Sequence, residues 1–271
     1  KGGMSLMPFA TVNGVNLHYE IRGTGPRLLF IHGIGADLKN PMGIFSTPAP
    51  NHFTVLAFDP RGLGESDSPN EPCTIGDMAD DAAGLAKAVG WDKYFVFGAS
   101  MGGMVAQELA LRHPSAVEKL ILGVTNAGGE NSGPVAVDKL DAMSSLEKLQ
   151  LSDTRHDQTW AAAHPEMVSQ MEEQGRAAQK IMKSNPALMR GYNNQVNAVL
   201  QHNTFDRLNE ITIPTLVFGG RFDGSNPPNV TKGLAELISG ARYELLESGH
   251  GNWYFDSRSW GMIIDFLLGR Q

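Results

Sequence analysis

The chain has 271 residues, 41% of them hydrophobic and 19% charged, with a formal net charge of −7. This is the make-up of a folded globular protein and excludes a disordered chain. The acidic balance argues against a nucleic-acid partner, no apolar run is long enough to span a bilayer, and the one cysteine, Cys73, can form neither an intrachain disulfide nor a cysteine metal site.

The amino end lacks the apolar stretch of about 7–15 residues that a secretory signal needs, and a cytoplasmic protein is expected. Two short runs, 9–12 and 15–21, flank Asn13-Gly14, a strong two-residue hairpin signal. Residues 27–31 form an apolar run that stops at His32-Gly33-Ile34-Gly35. Residues 53–58 form another, which stops at Asp59-Pro60-Arg61-Gly62. A helical pattern over 75–89 ends at Gly90. Next come an apolar run at 93–97, Gly98, and a helix from Met101 to about His113, terminated by Pro114. Further apolar runs lie at 120–124, 215–218 and 242–246, and an amphipathic helix covers about 258–268.

Short continuous apolar runs alternating with helices predict a mainly parallel sheet buried on both faces, with the hairpin adding antiparallel strands at one edge. Such open sheets bind ligands beyond the carboxyl ends of their strands. His32, Asp59, Ser100 and Asp223 all fall at those ends. The stretch 126–208 breaks the alternation. It carries two helical patterns, one placing Met167, Met171, Gly175, Ala178 and Met182 on a single face, the other Leu188, Tyr192, Val196 and Val199. This predicts a core domain of 8–125 and 209–271 with a helical cap, 126–208, inserted over the ligand end.

Gly98-Ala99-Ser100-Met101-Gly102 fits G-x-S-x-G directly after a strand and directly before a helix. A sharp strand-to-helix turn lifts a hydroxyl clear of the backbone only if its flanks are small. A serine hydroxyl needs a base within hydrogen-bond reach, and the base needs an orienting group. Of the eight histidines, His250 has both the right place, after the last strand, and the right chain order of serine, acid, histidine. Asp223, in the loop after the 215–218 strand, is the expected acid. Glu130 and Glu247 are weaker rivals. A tetrahedral oxyanion needs preorganised donors. The amide of Met101 is one, and that of Ile34, in the His32–Gly35 loop, is the expected second. His32 itself reads as structural.

These motifs together resemble the α/β-hydrolase family over nearly the whole chain: the His32-Gly33 loop, Asp59-Pro60-Arg61-Gly62-Leu63-Gly64-Glu65-Ser66, the elbow at Ser100, the Asp223 loop and His250. The resemblance implies an α/β-hydrolase fold. That means an eight-stranded, mostly parallel sheet with one antiparallel strand, a helical cap, and a structural role for Asp59. Residues 12–21, Ala36-Asp37 and 99–103 are similar to 3-oxoadipate enol-lactonase-like esterases and lactonases, while Gly251-Asn252-Trp253-Tyr254 departs from many of them. A serine nucleophile speaks against the haloalkane dehalogenase and epoxide hydrolase branches.

The implied reaction is acyl transfer from a small-molecule ester or lactone to water, with no metal or organic cofactor. Gly33, Trp160, Met171 and Trp253 are candidate pocket residues, and the cap methionines suit an adaptable apolar pocket. Arg155, Arg176 and Arg190 are candidates to meet a substrate carboxylate, with solvated cap charges the plainer reading. Three alternatives stand beside this: a cofactor-free perhydrolase of the haloperoxidase type, a C–C bond hydrolase, and a triad-bearing small-molecule receptor. Monomer and homodimer are both compatible with the sequence.

Overall fold

A computed structural model of the chain describes residues 8–40, 43–133 and 162–270, with the side chains of Met171, Glu172 and Asn252 outside that description. Eight strands form one sheet: β1 (Phe9–Val12), β2 (Val15–Arg22), β3 (Arg27–Ile31), β4 (Thr54–Phe58), β5 (Tyr94–Ala99), β6 (Val117–Gly123), β7 (Thr215–Gly220) and β8 (Arg242–Leu246). Their spatial order is β1-β2-β4-β3-β5-β6-β7-β8. β2 pairs antiparallel with β1 and β4, and every other pairing is parallel. The α-helices among the described residues are α1 (Ile75–Ala88), α2 (Met101–Arg112), α3 (Pro165–Ser184), α4 (Pro186–Gln201), α5 (Pro228–Leu237) and α6 (Ser257–Leu268). None of them is long and apolar enough to cross a membrane.

The expected hairpin is present. Asn13 and Gly14 have φ of 51° and 77°, as a type I′ turn requires, and Val12 pairs with Val15. Alternation along β3 then separates two apolar layers. Leu29 and Ile31 face the layer of α1, α2 and α5, while Leu28 and Phe30 face the layer of α6 and the 3-10 turns at Ile44–Ser46 and Ala49–Asn51. α1 starts at a capping box, in which the Thr74 hydroxyl accepts from the Asp77 amide and the Asp77 carboxylate accepts from the Thr74 amide. α6 starts on Asp256 and stops at Gly269, whose φ of 68° closes the last turn.

The chain runs from β3 outward to β4, then back across β3 to β5, so the winding direction reverses between β3 and β5. The crevice beyond the carboxyl ends of those two strands is where a doubly wound sheet binds its ligand.

Three departures from the sequence expectation have physical reasons. β6 starts at Val117 and stops at Gly123 because Val124 has φ 46°, a left-handed conformation that a strand cannot contain. α5 has no counterpart among the expected elements, although Asn226-Pro227-Pro228 leads straight into it. Pro228 sits at a first helical position, where no amide donor is required. In the predicted insertion, α4 buries Gly191, Gln195, Val196 and Ala198. α3 instead exposes most of its length, with Met167 and Met182 only half-buried and Ile181 60% exposed. Gly175 and Ala178 give its apolar face too little bulk to drive burial.

Candidate active site

The elbow follows from steric exclusion. Ser100 joins β5 to α2 with φ 56° and ψ −124°, a strained conformation for a residue with a Cβ. A methyl on Gly98 would collide with the Gly102 carbonyl, and one on Gly102 with the Ile31 and His32 carbonyls. A methyl on Gly103 would lie 2.6 Å from the Thr125 side chain. Glycine at these positions therefore lets strand, turn and helix close on one another. The backbone of Ser100 is clamped on both sides. Its amide donates to the Gly123 carbonyl (2.9 Å) and its carbonyl accepts from Thr125 Oγ1 (2.7 Å). Ser100 holds the N-cap position of α2, but its hydroxyl caps no amide.

That hydroxyl faces His250 instead. Ser100 Oγ lies 3.1 Å from His250 Nε2, and His250 Nδ1 lies 2.8 Å from Asp223 Oδ2. Asp223 is 3% exposed, so its carboxylate must be satisfied internally. Its other oxygen, Oδ1, accepts from the amides of Ser225 (2.8 Å) and Asn226 (2.9 Å). With the Asp223 oxygen as acceptor, the imidazole donates from Nδ1, and its Nε2 accepts from serine. The structure thus brings Ser100, His250 and Asp223 into one hydrogen-bonded line. Glu247 pairs with Arg221 at 2.6 Å and Glu130 is exposed, so neither competes for His250.

Gly33 lies against the serine: a methyl there would sit 3.4 Å from Ser100 Cβ. Ile34 follows it, half-buried against the α1–α2 layer. Among the described residues, neither the Ile34 amide nor the Met101 amide donates to a protein acceptor. His32 is buried and stacks edge-on against Phe30, with ring centroids 5.0 Å apart. Burial pushes its pKa down to about 4, against a smaller opposing pull from Asp59. His32 is therefore neutral at physiological pH, and the imidazole that meets the serine hydroxyl is that of His250. Asp59 is fully buried and accepts from His18 Nδ1 (2.7 Å), the Leu38 amide (2.7 Å) and the Glu65 amide (2.9 Å). It ties two loops together, apart from the Ser100–His250–Asp223 line.

Two pocket expectations change. Trp253 lies in the α6-side apolar layer, 2% exposed, with its indole against Phe97, Phe218 and Trp260. The 3-10 turn Asn252–Phe255 directs the ring into the sheet rather than toward the ligand end. Met171 falls within α3 but its side chain is outside the described residues, and so is Trp160 altogether. Arg190, one of the candidates to meet a substrate carboxylate, donates instead to the Ser68 carbonyl (3.0 Å) and fastens α4 to the loop after β4.

Other residues meet at the site that the sequence did not single out for it, although Tyr192 lies on the expected apolar face of α4. Gln195 on α4 accepts from the Gly35 amide (2.9 Å), and Tyr192 packs beside Gly35. Asn226 donates to the Val124 carbonyl (2.8 Å) and accepts from Asn126 Nδ2 (2.7 Å). Ser225, two residues after Asp223, has the spacing of an Asx turn, and Asn226 follows it.

Known proteins resemble this chain to different extents. An uncharacterised protein of Mycobacterium tuberculosis (strain ATCC 25618 / H37Rv) is 35% identical over 123 residues, 45% of this chain. That match spans only 35% of the relative's length. The enol-lactonase from Burkholderia xenovorans LB400 superposes with a TM-score of 0.79 at 26% identity, covering 96% of this chain and 100% of that one. Est816, described as an N-acyl homoserine lactone degrading enzyme, gives 0.77 at 26% identity, covering 97% and 99%. Residues 26–256 match the family model for the alpha/beta hydrolase fold, and the chain belongs to that family.

Proposed function

We propose that the protein hydrolyses a carboxylic ester or lactone of a small molecule through an acyl-enzyme on Ser100. Ser100 Oγ attacks the carbonyl carbon while His250 Nε2 takes its proton. Asp223 holds the imidazole in the required tautomer and stabilises the imidazolium that forms. The carbonyl oxygen, now negative, accepts from the amides of Ile34 and Met101. His250 then protonates the departing alkoxide, and the acyl-enzyme remains. In the second half His250 deprotonates water, which attacks the acyl carbon, and Ser100 leaves with the proton returned. In a lactone the leaving alkoxide stays tethered to the acyl group.

The observation that carries this reading is the line Asp223–His250–Ser100, with its two contacts of 2.8 and 3.1 Å. The likeness to an enol-lactonase and to a lactone-degrading enzyme, each at 26% identity over nearly full length, favours esters and lactones over other acyl donors. We read residues 126–208 as a cap. α4 supports this by contacting the Gly35 loop through Gln195 and the loop after β4 through Arg190.

The test is Ser100→Ala. The serine hydroxyl caps nothing, so the variant should unfold at the same denaturant concentration as wild type. Hydrolysis of p-nitrophenyl acetate should fall by about 10⁴-fold or more. Activity retained in a folded variant would remove Ser100 as nucleophile.

A further inference from the structure

His250 sits in a bend between β8 and a 3-10 turn, outside any regular element. Its imidazole must nonetheless meet two partners on two other loops. Misplacing a reacting group by about 1 Å costs on the order of 10²-fold in rate. Something in the fold has to hold this bend in register with β5 and β7.

We propose that Trp253 is that positioning residue: its indole, wedged against the strands that carry Ser100 and Asp223, anchors the backbone of His250. The proposal rests on the reading of Ser100, His250 and Asp223 as the catalytic groups. Three contacts carry it. Trp253 Nε1 donates to the His250 carbonyl at 2.9 Å. The indole meets Phe97 at a centroid distance of 5.6 Å, and Phe97 lies on β5, which ends at Ser100. It meets Phe218 at 5.0 Å, and Phe218 lies on β7, which leads to the Asp223 loop. One rigid bicyclic side chain therefore touches all three arms of the site from behind. Tyr254 and Trp260 close the cluster at 5.0 and 6.3 Å, which leaves the ring little room to tilt.

The indole acts through two separable properties, its shape and its N–H. A phenyl ring at 253 still packs on Phe97 and Phe218 but removes the Nε1–H that donates to the His250 carbonyl. The same fold supplies a matched control. Trp260 is equally buried, belongs to the same cluster and also donates its Nε1–H, at 2.9 Å, to a backbone carbonyl. That carbonyl belongs to Tyr254, not to the catalytic histidine. Trp253→Phe and Trp260→Phe thus delete the same ring and the same kind of hydrogen bond. Only one of them removes a hydrogen bond to His250.

The experiment measures kcat and KM for p-nitrophenyl acetate, thermal midpoints, and the downfield proton resonance of His250 Nδ1–H, in wild type and both variants. Both variants should lose similar stability. Trp253→Phe should lower kcat by about 10- to 100-fold with KM unchanged, and shift or broaden the Nδ1–H resonance. Trp260→Phe should leave kcat within about two-fold and the resonance in place. Should Trp253→Phe fail to fold, β-(3-benzothienyl)alanine at each position keeps the bicyclic shape and removes only the N–H, and the same contrast is expected. Equal kcat losses at 253 and 260, or wild-type kcat at 253, would overturn the proposal. Ser100→Ala, run alongside, separates the two ideas. If it is inactive while Trp253→Phe is at wild-type level, the positioning role alone falls. If it is active, the catalytic reading falls with it.

Discussion

Asp223→Asn isolates the orienting role of the acid. The substitution keeps the shape of the side chain and removes its charge. In the native protein Asp223 Oδ1 accepts from two backbone amides, at 2.8 and 2.9 Å, while Oδ2 faces His250 Nδ1. An asparagine has only one accepting atom. Two amide donors demand it on the Ser225–Asn226 side, so the NH2 group must face Nδ1. Nδ1 then becomes an acceptor, and the imidazole proton moves to Nε2, opposite the serine hydroxyl. In that tautomer His250 cannot deprotonate Ser100. Tautomer inversion of this kind in a serine protease costs about 10⁴-fold, which is about 5 kcal/mol of barrier. The two backbone hydrogen bonds survive, so stability should change by no more than about 1 kcal/mol. The assay is kcat for p-nitrophenyl acetate, alongside the denaturation midpoint. A folded variant that keeps kcat within ten-fold of wild type, about 1.4 kcal/mol, would refute the assignment of Asp223.

Gly102→Ala should destabilise the protein by about 1–3 kcal/mol and lower kcat together, because the new methyl strikes the Ile31 and His32 carbonyls of the loop that carries Ile34. Gly261→Ala, on an open face of α6 with nothing within 4 Å, should instead stabilise, by about 1 kcal/mol; denaturant titrations that give both changes the same sign would contradict the steric account. Acid should weaken the fold through His32 and His202, whose pKa values burial lowers from 6.5 to about 4. The unfolded chain protonates first, so this stability is present above pH 6.5 and is lost as pH falls toward 4. At pH 5 each group accounts for about 2 kcal/mol. His202→Gln should reduce the difference between midpoints at pH 7 and pH 5 by that amount, and an unaltered difference would count against the histidine.

The parts of the site that were legible in the sequence are those where sterics leave few choices. Gly98 and Gly102 announce the elbow because no other residue clears the Gly102, Ile31 and His32 carbonyls. Asn13-Gly14 announces the hairpin because both positions need positive φ. Chain order picked His250 from eight histidines. What stayed hidden depends on which face a residue presents within an irregular segment. Trp253 follows His250 closely enough to suggest the pocket, but a 3-10 turn sends it into the core. Neither pattern nor propensity reports that rotation. Gln195 is a polar residue on an apolar helix face. Its reason appears only when the Gly35 amide is brought beside it from 160 residues away in sequence. α5 was missed because Pro227-Pro228 fits a loop and a helix start equally well.

Two backbone positions near the serine carry strain. Ser100 has φ 56°, and Val124, a buried β-branched residue, has φ 46°. Each costs about 1–3 kcal/mol, so each needs neighbours that hold it. The holding groups form a chain that meets the Ser100–His250–Asp223 line at the Asp223 carboxylate. Asn226 takes the Val124 carbonyl while its own amide donates to Asp223. The Val124 amide donates to Phe218 on β7 (2.9 Å). The next residue, Thr125, grips the Ser100 carbonyl. The turn at Val124 is what allows β6 to hand one side chain to the elbow and one carbonyl to the acid loop. The Asp223 loop and Ser100 are therefore linked by the Val124 backbone together with the Asn226 and Thr125 side chains, whether or not the imidazole stands between them. This is why substitutions of the Ser100 or Asp223 side chain should spare the fold. The histidine bend joins the same network where the Phe222 amide donates to the Ser248 carbonyl (3.0 Å), beside the Trp253 Nε1–H on the His250 carbonyl.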